Sequence, residues 1–184
     1  MRVISGIAKG RKLKDVPGDS TRPITDRVKE SLFNILAGEL LDTTWWDLFS
    51  GTGAVGIEAL SRGAQFVRFV DLEKKAIETI RQNIEQVGFS KMSEIKRGDA
   101  FSYLKSTPDR TFDFIYIAPP QYKDLWSKTM ESLDANINWT NDNSCVIVQI
   151  HPKEYSDISL NNLKEYDQRK YGSTLLVFYE RIIP

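Results

Sequence analysis

From residue 43 onward, short apolar runs of strand length alternate with amphipathic runs of helical length, and this alternation constrains the fold of the 184-residue chain more than any other feature. The pattern predicts strands at 43–49, 66–72, 94–97, 112–117 and 145–150, and helices at 54–62, 73–87, 101–105 and 122–133. Strands returned to one another by helices build a parallel sheet covered on both faces, with ligands beyond the carboxyl ends of the strands. Two further strand candidates, 163–169 and 173–181, are joined by Tyr171-Gly172 with no helix between them, so they are expected to pair antiparallel at one edge. Upstream, residues 2–16 read as two short strands joined through Gly6 to Gly10, and Pro17-Gly18-Asp19-Ser20 marks a turn. From Thr25 a helical period gathers Val28, Leu32, Ile35, Leu36 and Leu40 on one face and Arg27, Glu30, Ser31 and Asn34 on the other. The fold class is therefore α/β. The length suits one domain over 1–184, with a hairpin and basic arm at 1–24 and the core at 25–184.

With 41% hydrophobic and 27% charged residues the chain can bury a core, which excludes wholesale disorder. No apolar run approaches the ~18 residues of a membrane span. The start, Met1-Arg2-Val3-Ile4-Ser5-Gly6, lacks the apolar stretch of a secretory signal, so a cytoplasmic location is expected. The single cysteine, Cys145, lies in an apolar strand with no adjacent cation, which marks a core thiol rather than a nucleophile. The 25 Lys and Arg balance the 25 Asp and Glu, and a zero sum weighs against a nucleic-acid partner. The placement is uneven, however. Arg2, Lys9, Arg11, Lys12, Lys14, Arg22, Arg27 and Lys29 are opposed near the N-terminus only by Asp15, Asp19, Asp26 and Glu30. Phosphate attraction fades over ~8–10 Å, so this local excess matters more than the sum. It describes either a phosphate-binding arm or a solvated one.

The segment Asp47-Leu48-Phe49-Ser50-Gly51-Thr52-Gly53-Ala54-Val55-Gly56 closes the first core strand and opens a helix. Gly51 and Gly53 allow a sharp turn and a close backbone approach to a ligand, and Gly56 permits tight helix–strand packing. The helix N-terminus offers unpaired N–H groups to a carboxylate or a phosphate. Asp71, with Leu72 beside it, ends the next strand where an acid can accept two ribose hydroxyls. Asp99, before Ala100, ends the third and can accept from an adenine amino group. A dinucleotide fold holding NAD is the competitor. Asp47 tilts against it, because a pyrophosphate site wants an apolar residue there, whereas an acid can meet the ammonium of a methionine moiety. Three acids at successive strand ends describe a pocket for S-adenosylmethionine (SAM).

Phe114-Ile115-Tyr116-Ile117-Ala118-Pro119-Pro120-Gln121-Tyr122 is an apolar strand stopped by two prolines. Proline lacks an N–H and fixes φ, so the carbonyls of Ala118 and Pro119 cannot be absorbed into a continuing helix. They can accept from the exocyclic amine of a nucleobase, whose delocalised lone pair must become pyramidal to attack a methyl group. Tyr122 can stack on the base, an interaction worth ~1–3 kcal/mol. An ordinary Pro-Pro turn is the plain alternative.

Arg2-Val3-Ile4-Ser5-Gly6, Gly10-Arg11-Lys12-Leu13, Thr21-Arg22-Pro23, Arg27-Val28-Lys29-Glu30-Ser31-Leu32-Phe33-Asn34-Ile35-Leu36, the glycine loop and Glu58-Ala59-Leu60-Ser61-Arg62-Gly63-Ala64 together resemble the bacterial RsmD-like enzymes, which methylate N2 of a guanine in small-subunit (16S) ribosomal RNA. The resemblance runs from the N-terminus to about Tyr122. It implies a class I SAM-dependent methyltransferase, a Rossmann-like seven-stranded fold with an N-terminal hairpin that helps hold RNA. By this resemblance the cofactor site comprises Asp47, Gly51, Gly53, Asp71, Leu72, Asp99 and Ala100, and the reaction site Ala118, Pro119, Pro120 and Tyr122. Arg11, Lys12, Arg22 and Arg27 contact the RNA, the partner being ribosomal RNA or the small ribosomal subunit, with no membrane and no metal. One departure stands out. Amine-methylating relatives carry Asp or Asn before Pro-Pro and then an aromatic, whereas this chain has Ala118 and an inserted-looking Gln121. Gln121 or backbone carbonyls must compensate, or activity is weakened.

The remaining conspicuous residues read as structural. His151 is the only histidine and precedes Pro152, as a loop residue; Trp45 and Trp46 pack on the two faces of a strand. Trp126 packs in the core or flanks the cleft. Two rival functions stay open beside rRNA methylation: an NAD-binding oxidoreductase, and an RNA-binding module that keeps the fold without the chemistry.

Overall fold

The computed structural model describes residues 1–18 and 24–183. The core alternates as the pattern predicts: α1 (Asp26–Ile35), β1 (Thr44–Asp47), α2 (Ala54–Ser61), β2 (Phe66–Asp71), α3 (Lys74–Val87), β3 (Ser93–Arg97), α4 (Ala100–Lys105), β4 (Phe112–Ile117), α5 (Leu125–Ala135), β5 (Thr140–Ile150), β6 (Leu163–Tyr171) and β7 (Thr174–Arg181). These form one seven-stranded sheet in the order β3-β2-β1-β4-β5-β7-β6. Strands β1 to β5 run parallel, while β7 is antiparallel to both β5 and β6, giving the expected edge hairpin. The direction of winding reverses between β1 and β4, and a crevice opens beyond their carboxyl ends.

Both faces of the sheet carry apolar layers. Trp45 packs on one face against Phe33 and Phe114, with ring centroids at 5.4 and 4.6 Å. Trp46, next in sequence, packs on the other against Phe112 and Trp139 at 5.1 and 4.4 Å. The alternation of a strand's side chains turns adjacent residues into anchors for two separate layers. Gly56 is required where α2 crosses β2, since a Cβ there would lie 2.4 Å from the Phe69 ring. Cys145 is buried in β5, and burial pushes its thiol up to about 12, as befits a core residue.

The structure corrects several boundaries. The helix expected over 122–133 begins three residues later, at Leu125, because Tyr122 and Asp124 hold positive φ of 60° and 50° in a turn that follows the two prolines. The strand expected at 145 starts at Thr140. Ile35 and Leu40 do not share a helical face: Ile35 is 39% exposed in the last turn, and Leu40, though buried, lies beyond the helix end. Residues 2–16 form a hairpin-like arm with one isolated bridge, Arg2 to Lys12, rather than two strands. Its cross-chain bonds run from Val3 N to Arg11 O and from Leu13 N to Met1 O, both 2.9 Å. The turn at Asp19-Ser20 and the segment Thr21-Arg22-Pro23 lie outside the described residues.

A buried ion pair that the charge pattern does not reveal helps to hold the arm in place. Lys29, counted above with the basic arm, is fully buried and donates to Arg2 O at 2.6 Å, 3.6 Å from Glu58 Oε2. Burial lowers the Lys29 ammonium, and the Glu58 carboxylate opposes that shift. Glu58 in turn accepts from the backbone N–H of Ile4 and of Ser5 and from Arg62.

Candidate active site

The ends of five strands, β1 to β5, and the glycine loop meet in the crevice. Asp47, the last residue of β1, is 1% exposed; its Oδ2 accepts from Gly56 N at 3.3 Å, and its Oδ1 has no partner among the described residues. Burial raises the Asp47 carboxyl to about 7, against the pull of the Gly56 N–H and with a further push from the Asp71 charge. A buried carboxylate oxygen without a donor is costly unless a ligand supplies one, and an ammonium suits it best.

Ser50 ties the loop to the sheet. Its hydroxyl donates to Asp47 O at 2.7 Å and accepts from Val70 N at 3.0 Å. Gly51 and Gly53 take φ of 54° and 77°, the left-handed region that lets the chain turn sharply into α2. Across the turn, Asp71 at the end of β2 accepts from Gly51 N at 2.8 Å through one oxygen and from Glu73 N at 2.9 Å through the other. Each oxygen keeps a second lone pair. Asp99 caps α4, its Oδ2 accepting from Ser102 N and Oγ, both at 3.0 Å.

Asp47, Ser50, Gly51, Asp71 and Asp99 line a cavity of about 760 Å³ with Leu72, Ala100, Phe101, Tyr116, Ala118, Pro119, Pro120, Gln121 and Gln149. The volume lies within the ~300–1,000 Å³ range of small-ligand sites. The glycine loop and the double proline thus line one shared space. All seven expected cofactor residues except Gly53 line it directly, and Gly53 sets the turn from behind. Tyr122 does not. Its side chain is 65% exposed, its ring lies 5.7 Å from that of His151, and its N–H donates to Glu154 Oε1 at 2.6 Å. The side chains of Arg11, Lys12 and Arg27 are exposed, and Arg22 lies outside the described residues. Trp126 is buried, its indole N–H donating to Glu154 O at 3.1 Å. His151 sits before a short 3-10 turn and accepts from Lys153 N through Nδ1.

Two lining residues escape the motif reading, Tyr116 and Gln149. Both lie inside strands whose apolar run reads as core, and only the strand register shows that Gln149 faces the crevice. The Tyr116 hydroxyl is buried and donates to Gln149 Oε1. Burial, then the neighbouring Asp47 charge, push its pKa well above the usual value, so it stays a neutral donor.

This site geometry occurs in a chain with clear relatives. It is 36% identical to the Bacillus subtilis protein YlbH over 98% of this chain and 99% of that one. It is 35% identical to Ribosomal RNA small subunit methyltransferase D of Buchnera aphidicola, over 83% of this chain and 78% of the relative. Among solved structures, Escherichia coli yhhF superposes with a TM-score of 0.85 at 29% identity, covering 98% of this chain and 97% of that one. A family model described as Conserved hypothetical protein 95 matches residues 1–180, and the chain belongs to that family, which is RsmD-like and has the class I methyltransferase fold.

Proposed function

We propose that the protein transfers a methyl group from SAM to N2 of a guanine in small-subunit ribosomal RNA, in the cytoplasm. The observation that carries this reading is the shared cavity. The Gly51 turn, the three acids and the exit of β4 at Ala118 and Pro119 all line it. The relatedness to a small-subunit rRNA methyltransferase supports the substrate class.

The unpartnered Oδ1 of Asp47 fits the ammonium of the methionine part, and the remaining lone pairs of Asp71 fit the ribose hydroxyls. In this reading Asp99 accepts from the adenine amino group, and Leu72 and Ala100, which line the same cavity, contact the ring. When bound, SAM supplies an electrophilic methyl on a sulfonium. The chain's part is then to hold the acceptor nitrogen in line, since well-oriented reactants gain ~7–11 kcal/mol. The Ala118 and Pro119 carbonyls serve as fixed acceptors for the target amine. Arg11, Lys12, Arg22 and Arg27 meet RNA phosphates. An NAD site is disfavoured because the buried Asp47 carboxylate would face a pyrophosphate.

The test is methyl transfer from labelled SAM to small subunits purified from cells lacking the protein, followed by mapping of the modified base. Label on N2 of one guanine is the expected result. Ala118 gives one specific reason for a second reading, a fold that binds RNA without reacting. Complex formation with no incorporation would establish that reading instead.

A further inference from the structure

Ala118 offers no side-chain acceptor at the β4 exit, and the neighbouring strand β5 carries a polar side chain, Gln149, into the same cavity lining. The parallel register pairs Tyr116 with Ile147 and Ile117 with Val148, so the next rung sets Ala118 beside Gln149. Residues Asp47, Tyr116, Ala118 and Gln149 all line the cavity. We infer that Gln149 is a catalytic residue, its carboxamide oxygen accepting a hydrogen bond from the target amine in place of the missing side chain, with Tyr116 as its positioning residue. This rests on the methyltransferase reading above.

The argument is one of lone pairs and rotamers. A carboxamide oxygen has two acceptor sites, and the Tyr116 hydroxyl occupies one, leaving the other for a group in the cavity. The same bond holds the Gln149 side chain in one orientation, and a buried hydrogen-bond chain polarises its members. Gln121 also lines the cavity, but it follows Pro120 in a turn and no hydrogen bond holds its side chain among the described residues. A pre-ordered acceptor loses less freedom on binding than a free one. In the step, the amine nitrogen's lone pair forms the N–CH3 bond while the S–CH3 bond breaks, its electrons staying on sulfur to give a neutral thioether. The proton then shed by the methylated nitrogen goes to water. Gln149 orients that nitrogen and takes no proton.

Kinetics on the small-subunit substrate test this. Gln149→Leu should lower kcat about 10- to 100-fold, the effect of one hydrogen bond to a group developing charge, while KM for RNA and SAM affinity stay within about twofold. Tyr116→Phe should lower kcat in the same sense by less. Adding Ala118→Asn to Gln149→Leu should restore kcat, a rescue that a merely structural role would not produce. Thermal unfolding and SAM titration of each variant report folding, and Gln149→Met serves if the leucine variant does not fold. Unchanged kcat in Gln149→Leu or Gln149→Met, or a loss confined to Gln121→Leu, would overturn the assignment and leave the methyltransferase reading standing. So would an inactive wild type made active by Ala118→Asn alone. Inactivity of both those proteins on a substrate that they bind would sink both readings.

Discussion

A carboxylate withdrawn from water, as Asp47 is, holds its proton more tightly than one on the surface, and this ties ligand binding to pH. Its folded pKa of about 7 lies above the ~3.9 of an unfolded aspartate. In the ligand-free protein the folded state therefore binds the extra proton between those values. The stability that Asp47 contributes is fully present below pH ~4 and declines as pH rises through about 7. A ligand ammonium at Oδ1 reverses the preference by favouring the ionised form. SAM affinity is expected to increase as pH rises from about 5.5 to 7, approaching tenfold per unit at the acid end, with proton release on binding. Asp47→Asn should bind more weakly and with a flat profile over that range. Calorimetric titration in two buffers of different ionisation enthalpy measures the released proton directly; none released at pH 6 would refute the contact.

The N-terminal arm shows how an element of little regular structure becomes part of the fold. Beyond the bonds inside the arm, its backbone groups pair with α2 and α3, largely with their side chains, instead of with a sheet. Ser61 Oγ accepts from Ala8 N and donates to Ser5 O. Asn83 Oδ1 accepts from Lys14 N at 2.7 Å, while its Nδ2 donates to both Lys14 O and Thr52 O. Asn83 thus joins the arm to the glycine loop. Gly6 makes the closest approach: it has φ +82°, and a Cβ there would sit 1.7 Å from Ser61 O. Gly6→Ala combines backbone strain with a clash that only detachment of the arm can relieve. We expect a loss of about 1–3 kcal/mol. In urea unfolding the midpoint should fall, and faster proteolysis between residues 1 and 18 should accompany it. An unchanged midpoint would show that the docking at Gly6 contributes no stability.

Over the whole molecule, charge distribution carries more information than net charge. The zero sum hides a local cationic arm, and that arm divides into two chemically different parts. Lys29 is consumed in the core by Glu58, and Arg2 makes an ion pair with Asp26 at 3.4 Å. The side chains of Arg11 and Lys12, by contrast, are exposed. Replacing Arg11 and Lys12 together by Ala should weaken RNA binding and reduce the slope of log K against log salt by about one to two, with SAM affinity unaffected. Filter binding across a salt series reads both quantities, and an unaltered slope would remove the pair from the RNA interface.

How much of this was legible beforehand follows from the range of the interactions involved. Every core strand and helix could be placed from periodicity, because burying one face is a local demand on residues two or three to four apart. The glycine loop, the acids at strand ends and the double proline were readable for the same reason, each being a local backbone requirement. The start of α5 was misplaced because the turn at Tyr122 and Asp124 has no glycine to announce it. Lys29 and Gln149 were missed for a different cause. A lysine enters the core only where a carboxylate such as Glu58 is brought to it from a distant helix, and a glutamine in an apolar strand faces a site only if the register puts it there. The local pattern of the chain determined the elements, their order and the glycine turn. Tertiary structure alone decided which polar side chains are buried together, because desolvation and pairing depend on contacts between residues far apart along the chain.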